Sequence, residues 1–112
     1  MEWKVEYTKE AQKDLIKLDD HSRKLVLKAI EKTAERPLPP PDGIGKPLGN
    51  HSAAKLSGYY KIKLKARGLR VVYGLIRTEK VMRIIIVSVR SDEEVYIEAE
   101  KRIKEQIKGL RN

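Results

Sequence analysis

The sequence predicts an α+β fold: a small, antiparallel-rich twisted sheet of about four strands, an N-terminal helical hairpin on one face and a C-terminal helix at the other, in the order β-α-α-β-β-β-α. Three observations predict it. Residues 9–35 and 92–110 carry apolar side chains at helical spacing, with charges between them. Residues 59–90 hold three successive stretches patterned as strands. Between these blocks, residues 36–50 contain all five prolines and three of the seven glycines, which excludes helix or central strand there.

Each element has its own signal. Trp3, Val5 and Tyr7 alternate with polar residues in a short first strand. Thr8 is placed to cap the next helix, in which Ala11, Leu15 and Leu18 share a face. Asp19 and Asp20 end that helix and open a second, which carries Leu25, Val26, Ala29, Ile30 and Ala34; the short connection makes the pair an antiparallel hairpin. His21 falls at the junction, as a surface residue. A proline- and glycine-rich loop is expected over 36–58, with Pro39, Pro40 and Pro41 as a stiff spacer and His51 weighed as a catalytic candidate. Tyr59 to Arg77 then reads as a hairpin turning at Gly68, a residue that takes positive φ without a Cβ clash. Val81 to Arg90 is apolar on both faces, as expected of a strand covered on both sides. Counting parity puts Ile85, Val87 and Val89 on one face, and Met82, Ile84, Ile86, Ser88 and Arg90 on the other. The last helix has Asp92, Glu93 and Glu94 in its first turn, where the helix dipole favours acids. Its stripe of Val95, Ala99, Ile103, Ile107 and Leu110 is narrow against eleven charges, so loose docking is expected. Residues 1–112 thus read as a single domain.

Composition narrows the function. The formal net charge of +9 favours anionic partners such as nucleic acid over small neutral substrates. The chain has no cysteine, and its two histidines stand far apart, so no metal and no cofactor are expected. No apolar run approaches a membrane span and no signal peptide is evident, so a cytoplasmic location is expected, without membrane association. From Gly43 to Thr78 there are eight basic residues, Lys46, Lys55, Lys61, Lys63, Lys65, Arg67, Arg70 and Arg77, and not one acid. Lysines alternating with apolar residues also occur on ordinary solvated or edge strands. A merely soluble surface, however, mixes both signs, and an uncompensated cationic face calls for an external anion.

Alternation places Lys61 and Lys63 together on one strand face, and Arg70 can join them from the returning strand. If the parity of the last strand brings Arg90 to that face, four cations converge beside Tyr96; alternatively, Asp92 caps Arg90 and Tyr96 packs on its own strand end. Such a set has what RNA scission needs. A lysine among cations can serve as base to a 2′-hydroxyl, arginine is a fixed stabiliser of phosphorane charge, and a tyrosine ring can stack a base. Lys46, Lys55, Lys65 and Arg67 are candidates for holding the RNA strand.

The runs KLSGYYKIKLKARGLRVVY and IVSVRSDEEVYIEAEKRI resemble the RelE toxins of the RelE/ParE superfamily, closely from Lys55 to Ile103 and more weakly through the N-terminal strand and helices. That resemblance implies the toxin of a type II toxin–antitoxin pair: a ribosome-dependent endoribonuclease, needing neither metal nor cofactor, that cuts mRNA in the A site and leaves a cyclic phosphate. Its implied partners are a cognate antitoxin, the ribosome with its 16S rRNA, and mRNA. By residue, it implies Lys61 and Lys63 as base and phosphate stabiliser, Arg70 as transition-state stabiliser, Arg90 as aid to the leaving group and Tyr96 as base platform. The chain departs from the family at a Lys-Leu-Arg-Gly turn, where it has Lys46-Pro-Leu-Gly or Lys55-Leu-Ser-Gly, and at Val89, where a lysine is common. The alternatives are a ParE-like toxin that inhibits DNA gyrase without catalysis, and a plain basic RNA-binding domain.

Overall fold

A computed structural model describes residues 3–51, 54–65 and 68–111, with the side chains of 49–51, 54–57 and 107–111 outside the description. The elements are β1 (Lys4–Tyr7), α1 (Lys9–Lys17), α2 (Asp20–Glu35), β2 (Lys46–His51), β3 (Ala54–Leu64), β4 (Leu69–Ile76), β5 (Val81–Ser88) and α3 (Asp92–Arg111). The strands form one mixed sheet in the order β1-β5-β4-β3-β2; β1 runs parallel to β5, and the other pairs are antiparallel.

Local chemistry sets the boundaries. The Thr8 hydroxyl accepts the Ala11 N–H at 3.1 Å and opens α1 as its sequence predicts. Arg23 closes the α1–α2 corner, donating to the carbonyls of Leu15, Ile16 and Leu18 at the end of α1, where Leu15 also accepts the Leu18 N–H. Gly68 sits at φ +62° in the β3–β4 turn, the conformation for which the turn needed a glycine.

Two cores flank the sheet. On one face α1 and α2 bury Ala11, Val26, Ile30 and Ala34 against Tyr60, Leu69, Val71, Tyr73, Met82, Ile84 and Val87. On the other, α3 buries Val95, Tyr96, Ala99 and Ile103 against Leu48, Val72, Ile85 and Ile86. The expected three-layer order is therefore observed, with two corrections. The loop is shorter than 36–58, because Lys46–His51 forms a fifth strand that pairs with β3. It lies at the sheet edge, where Pro47 costs no ladder hydrogen bond on its open side. The remaining loop is pinned by Tyr73, whose buried hydroxyl donates to the Pro37 carbonyl at 2.9 Å.

The second correction concerns β5. Val72 pairs with Ile86 and Tyr73 with Ile84, so Ile85 is the extra residue of a β-bulge. Met82 and Ile84 face the helical hairpin, whereas Ile85 and Ile86 both reach the α3 core, and Val87 returns to the hairpin side. The strict alternation expected of Val81 to Arg90 holds on each side of the bulge and inverts across it.

Candidate functional site

Register places the cations. Lys63 pairs with Arg70, and Arg70 with Ser88, so these three side chains form a row across β3, β4 and β5. The neighbouring row is Lys46, Lys61, Val72 and Ile86. Since Val72 and Ile86 pack under α3, both rows lie on the α3 face, beside that helix's first turn. Lys46, expected only to hold the RNA strand, thus stands directly across from Lys61, and it is exposed. Lys65 is exposed at the β3–β4 turn. Arg67 and the side chains of Lys55 and His51 lie outside the described residues.

The row is not without an acid. Asp92, the first residue of α3, accepts from Lys63 Nζ at 2.9 Å through Oδ2 and from Arg70 Nε through Oδ1. Arg70 is also held independently, since its Nη1 donates to the carbonyls of Gly68 at 2.9 Å and Arg90 at 2.6 Å. Hydrogen bonding from Lys63, with the bond and charge of Arg70, outweighs partial desolvation and holds the Asp92 carboxyl below its ordinary range. The premise that the cations lack a compensating acid is therefore corrected at Lys63 and Arg70. The alternative pairing, Asp92 capping Arg90, is not the one formed.

Arg90 lies two residues beyond Ser88, past the end of β5. Its carbonyl holds Arg70, while the residue itself is exposed and lines a cavity of about 340 Å³ with Lys17, Ser88, Glu98 and Arg102. Main chain and ladder bring Lys61, Lys63 and Arg70 together; Arg90 adjoins them through its backbone. Tyr96 differs from expectation. Only 3% exposed, its ring is part of the α3 core rather than a surface platform, because it lies on the same helix face as Val95, Ala99 and Ile103. Burial, then the Asp92 charge, raises its phenol pKa, with Arg70 opposing.

A second ionic cluster was not legible beforehand. β1 pairs with β5 only from Val81 to Ile84, leaving the rest of that edge without a strand. There the Val87 N–H donates to Asp14 Oδ2 at 3.0 Å, and the Ile85 carbonyl accepts from Arg102 Nη1 at 3.0 Å. Arg102 and Asp14 complete the link with contacts of 2.7 and 3.1 Å, and Arg102 Nε donates to Glu98 at 3.2 Å. Burial opposes the Arg102 charge, but hydrogen bonds and charges of Asp14 and Glu98 prevail and raise its pKa. Side chains of α1 and α3 thus take the place of a neighbouring strand. The sequence carried only the i,i+4 spacing of Glu98 and Arg102, which reads as an ordinary pair on a charged helix face.

This small mixed sheet, with a helical hairpin on one face and a terminal helix on the other, is similar to the fold of solved RelE toxins. Residues 5–96 match the family described as ParE toxin of type II toxin–antitoxin system, parDE. The chain is 30% identical over 107 residues to a putative RelE-like toxin protein of Escherichia coli, covering 93% of this chain and all of the relative. Among solved structures it is similar to the isolated E. coli RelE toxin, at 31% identity and a TM-score of 0.65, covering 90% of this chain and 98% of that one. A double arginine-to-alanine mutant of E. coli RelE in complex with an antitoxin RelBc peptide is 26% identical with a TM-score of 0.59, over 88% of this chain and 95% of that one. The chain belongs to the RelE/ParE family of type II toxin–antitoxin toxins.

Proposed function

We propose that this toxin is a ribosome-dependent endoribonuclease that cleaves mRNA in the A site without a metal. The observation that supports the reading is the cluster of Lys61, Lys63 and Arg70 on two neighbouring rows of the sheet face beside α3, in a chain 30% identical to a RelE-like toxin over 93% of its length. In the reaction the 2′-hydroxyl oxygen attacks the adjacent phosphorus, the bond from phosphorus to the 5′ oxygen breaks, and a 2′,3′-cyclic phosphate forms. Lys61 or Lys63 takes the hydroxyl proton and later returns it to solvent, Arg70 with the other lysine stabilises the phosphorane oxygens, and Arg90 stabilises the charge on the departing 5′ oxygen, which takes a proton from water. Lys46 extends the cationic face toward the flanking strand of RNA, with Lys55, Lys65 and Arg67 as further contacts. Tyr96 stacks a base only when the first turns of α3 lift from the sheet. A cognate antitoxin is the regulatory partner in this reading.

The match to the ParE description favours one alternative, inhibition of DNA gyrase by binding alone. Primer extension on translated mRNA after induction, with gyrase supercoiling followed in parallel, separates the two. Cuts confined to ribosome-engaged mRNA, with supercoiling unaffected, are expected. Intact mRNA with loss of gyrase supercoiling would overturn the proposal.

A further inference from the structure

Between Gly43 and Thr78 the chain supplies eight cations and no acid, and the acid that reaches the row comes from a different element. Asp92 offers its two oxygens to two different cations, Lys63 and Arg70, as the two non-bridging oxygens of a phosphodiester would. Its side chain is 40% exposed, so the contact is open to exchange with an incoming anion. Arg70 does not need it for its position, being held by the Gly68 and Arg90 carbonyls through Nη1. An anion whose departure leaves Arg70 in place is a replaceable occupant, not a strut.

We propose that Asp92 is an intramolecular competitor for the anion subsite of Lys63 and Arg70, an autoinhibitory contact that a backbone phosphate of nucleic acid displaces. The proposal rests on the nucleic-acid reading of the row and adds to it a regulation of the same site. Displacement exchanges one singly charged anion for another and leaves Asp92 on the solvent-facing first turn of α3, near the positive end of the helix dipole. Where an internal group occupies a site for most of the time, apparent affinity for an external ligand falls by the fraction of time the site is open.

The test is binding of a fluorescently labelled single-stranded DNA hexanucleotide, which lacks the attacking hydroxyl, to the full chain at fixed ionic strength. Asp92→Asn is expected to bind roughly tenfold more tightly than wild type, the gain set by how rarely the subsite is open. Arg70→Ala in the Asp92→Asn background is expected to abolish the gain. Glu93→Gln changes the net charge equally without touching the row, and is expected to leave affinity within about twofold of wild type. Equal or weaker binding by folded Asp92→Asn, or an equal gain in Glu93→Gln, would overturn the proposal. If Asp92→Asn does not fold, Asp92→Ser carries the same expectation. Because no cleavage is read, a toxin that proves unable to cut mRNA yet shows this binding pattern would reject the endoribonuclease reading and leave the competitor in place.

Discussion

Helix α3 carries two ion clusters of the same chemistry in opposite surroundings. Arg102 and Asp14 are 14% and 13% exposed and fill hydrogen bonds that the unpaired edge of β5 would otherwise lack. Asp92, 40% exposed, sits over Lys63 and Arg70, which have backbone or solvent to fall back on. Burial decides what an ion pair does. Taking one partner from a buried pair leaves a charge and ladder groups without water, whereas opening an exposed pair merely returns its members to solvent. The first cluster therefore fastens α3 to α1 and β5, whereas the second remains open to solvent.

The largest expected effect comes from breaking the buried cluster. Arg102→Ala should destabilise the fold by about 3–5 kcal/mol, the scale for a buried pair deprived of one member. Denaturant unfolding measures it. Replacing both Asp14 and Arg102 by apolar residues should not recover the loss, because Val87 N–H and the Ile85 carbonyl then lack their partners. Full recovery in the double variant would show that the edge is satisfied in another way.

Arg70→Ala should invert that profile. Ribosome-dependent cleavage is expected to fall by about 10²–10³, the scale for a preorganised charge, while stability changes by only about 1–2 kcal/mol. A folded variant with wild-type cleavage would remove Arg70 from the site. Lys61→Arg is a finer probe, since arginine keeps the charge but does not deprotonate. A loss of about a hundredfold is expected if Lys61 moves the proton; wild-type rates would leave it charge alone.

The contrast between the clusters also explains what the sequence disclosed. Thr8, Gly68, the α1–α2 hairpin and the doubly apolar β5 follow local rules, so their elements appear where pattern places them. β2 did not, because Pro47 and Gly49 read as loop and an edge strand tolerates both. Ile84, Ile85 and Ile86 conceal the bulge, since three identical side chains carry no parity; only pairing with β4 shows which two share a face. The cationic row was legible because it rests on alternation within β3, whereas Asp92 looked like a dipole-favoured acid and Arg102 like one more solvated charge. The α3 stripe likewise omitted Tyr96, so the docked face is broader than its aliphatic residues suggest. Side chains that bridge distant elements leave no periodic trace.

The smallest effect isolates Asp92 by pH. Its folded-state pKa is lowered, so its contribution to stability is fully present above the ordinary carboxylate value and is lost as pH falls through the folded one. The groups facing it are Lys63 on β3 and Arg70 on β4, with Tyr96, Glu93 and Glu94 near it on α3. Wild type should exceed Asp92→Asn in unfolding free energy at neutral pH by less than about 1 kcal/mol, since solvent screens an exposed pair. The difference should shrink toward zero on acidification below the ordinary carboxylate range, because protonated Asp92 and Asn are both neutral. Urea unfolding of the two proteins across that range tests the sign. A difference that stays constant with pH would mean that Asp92 contributes through helix propensity rather than charge, and a difference of several kcal/mol would place it with Asp14 among the struts.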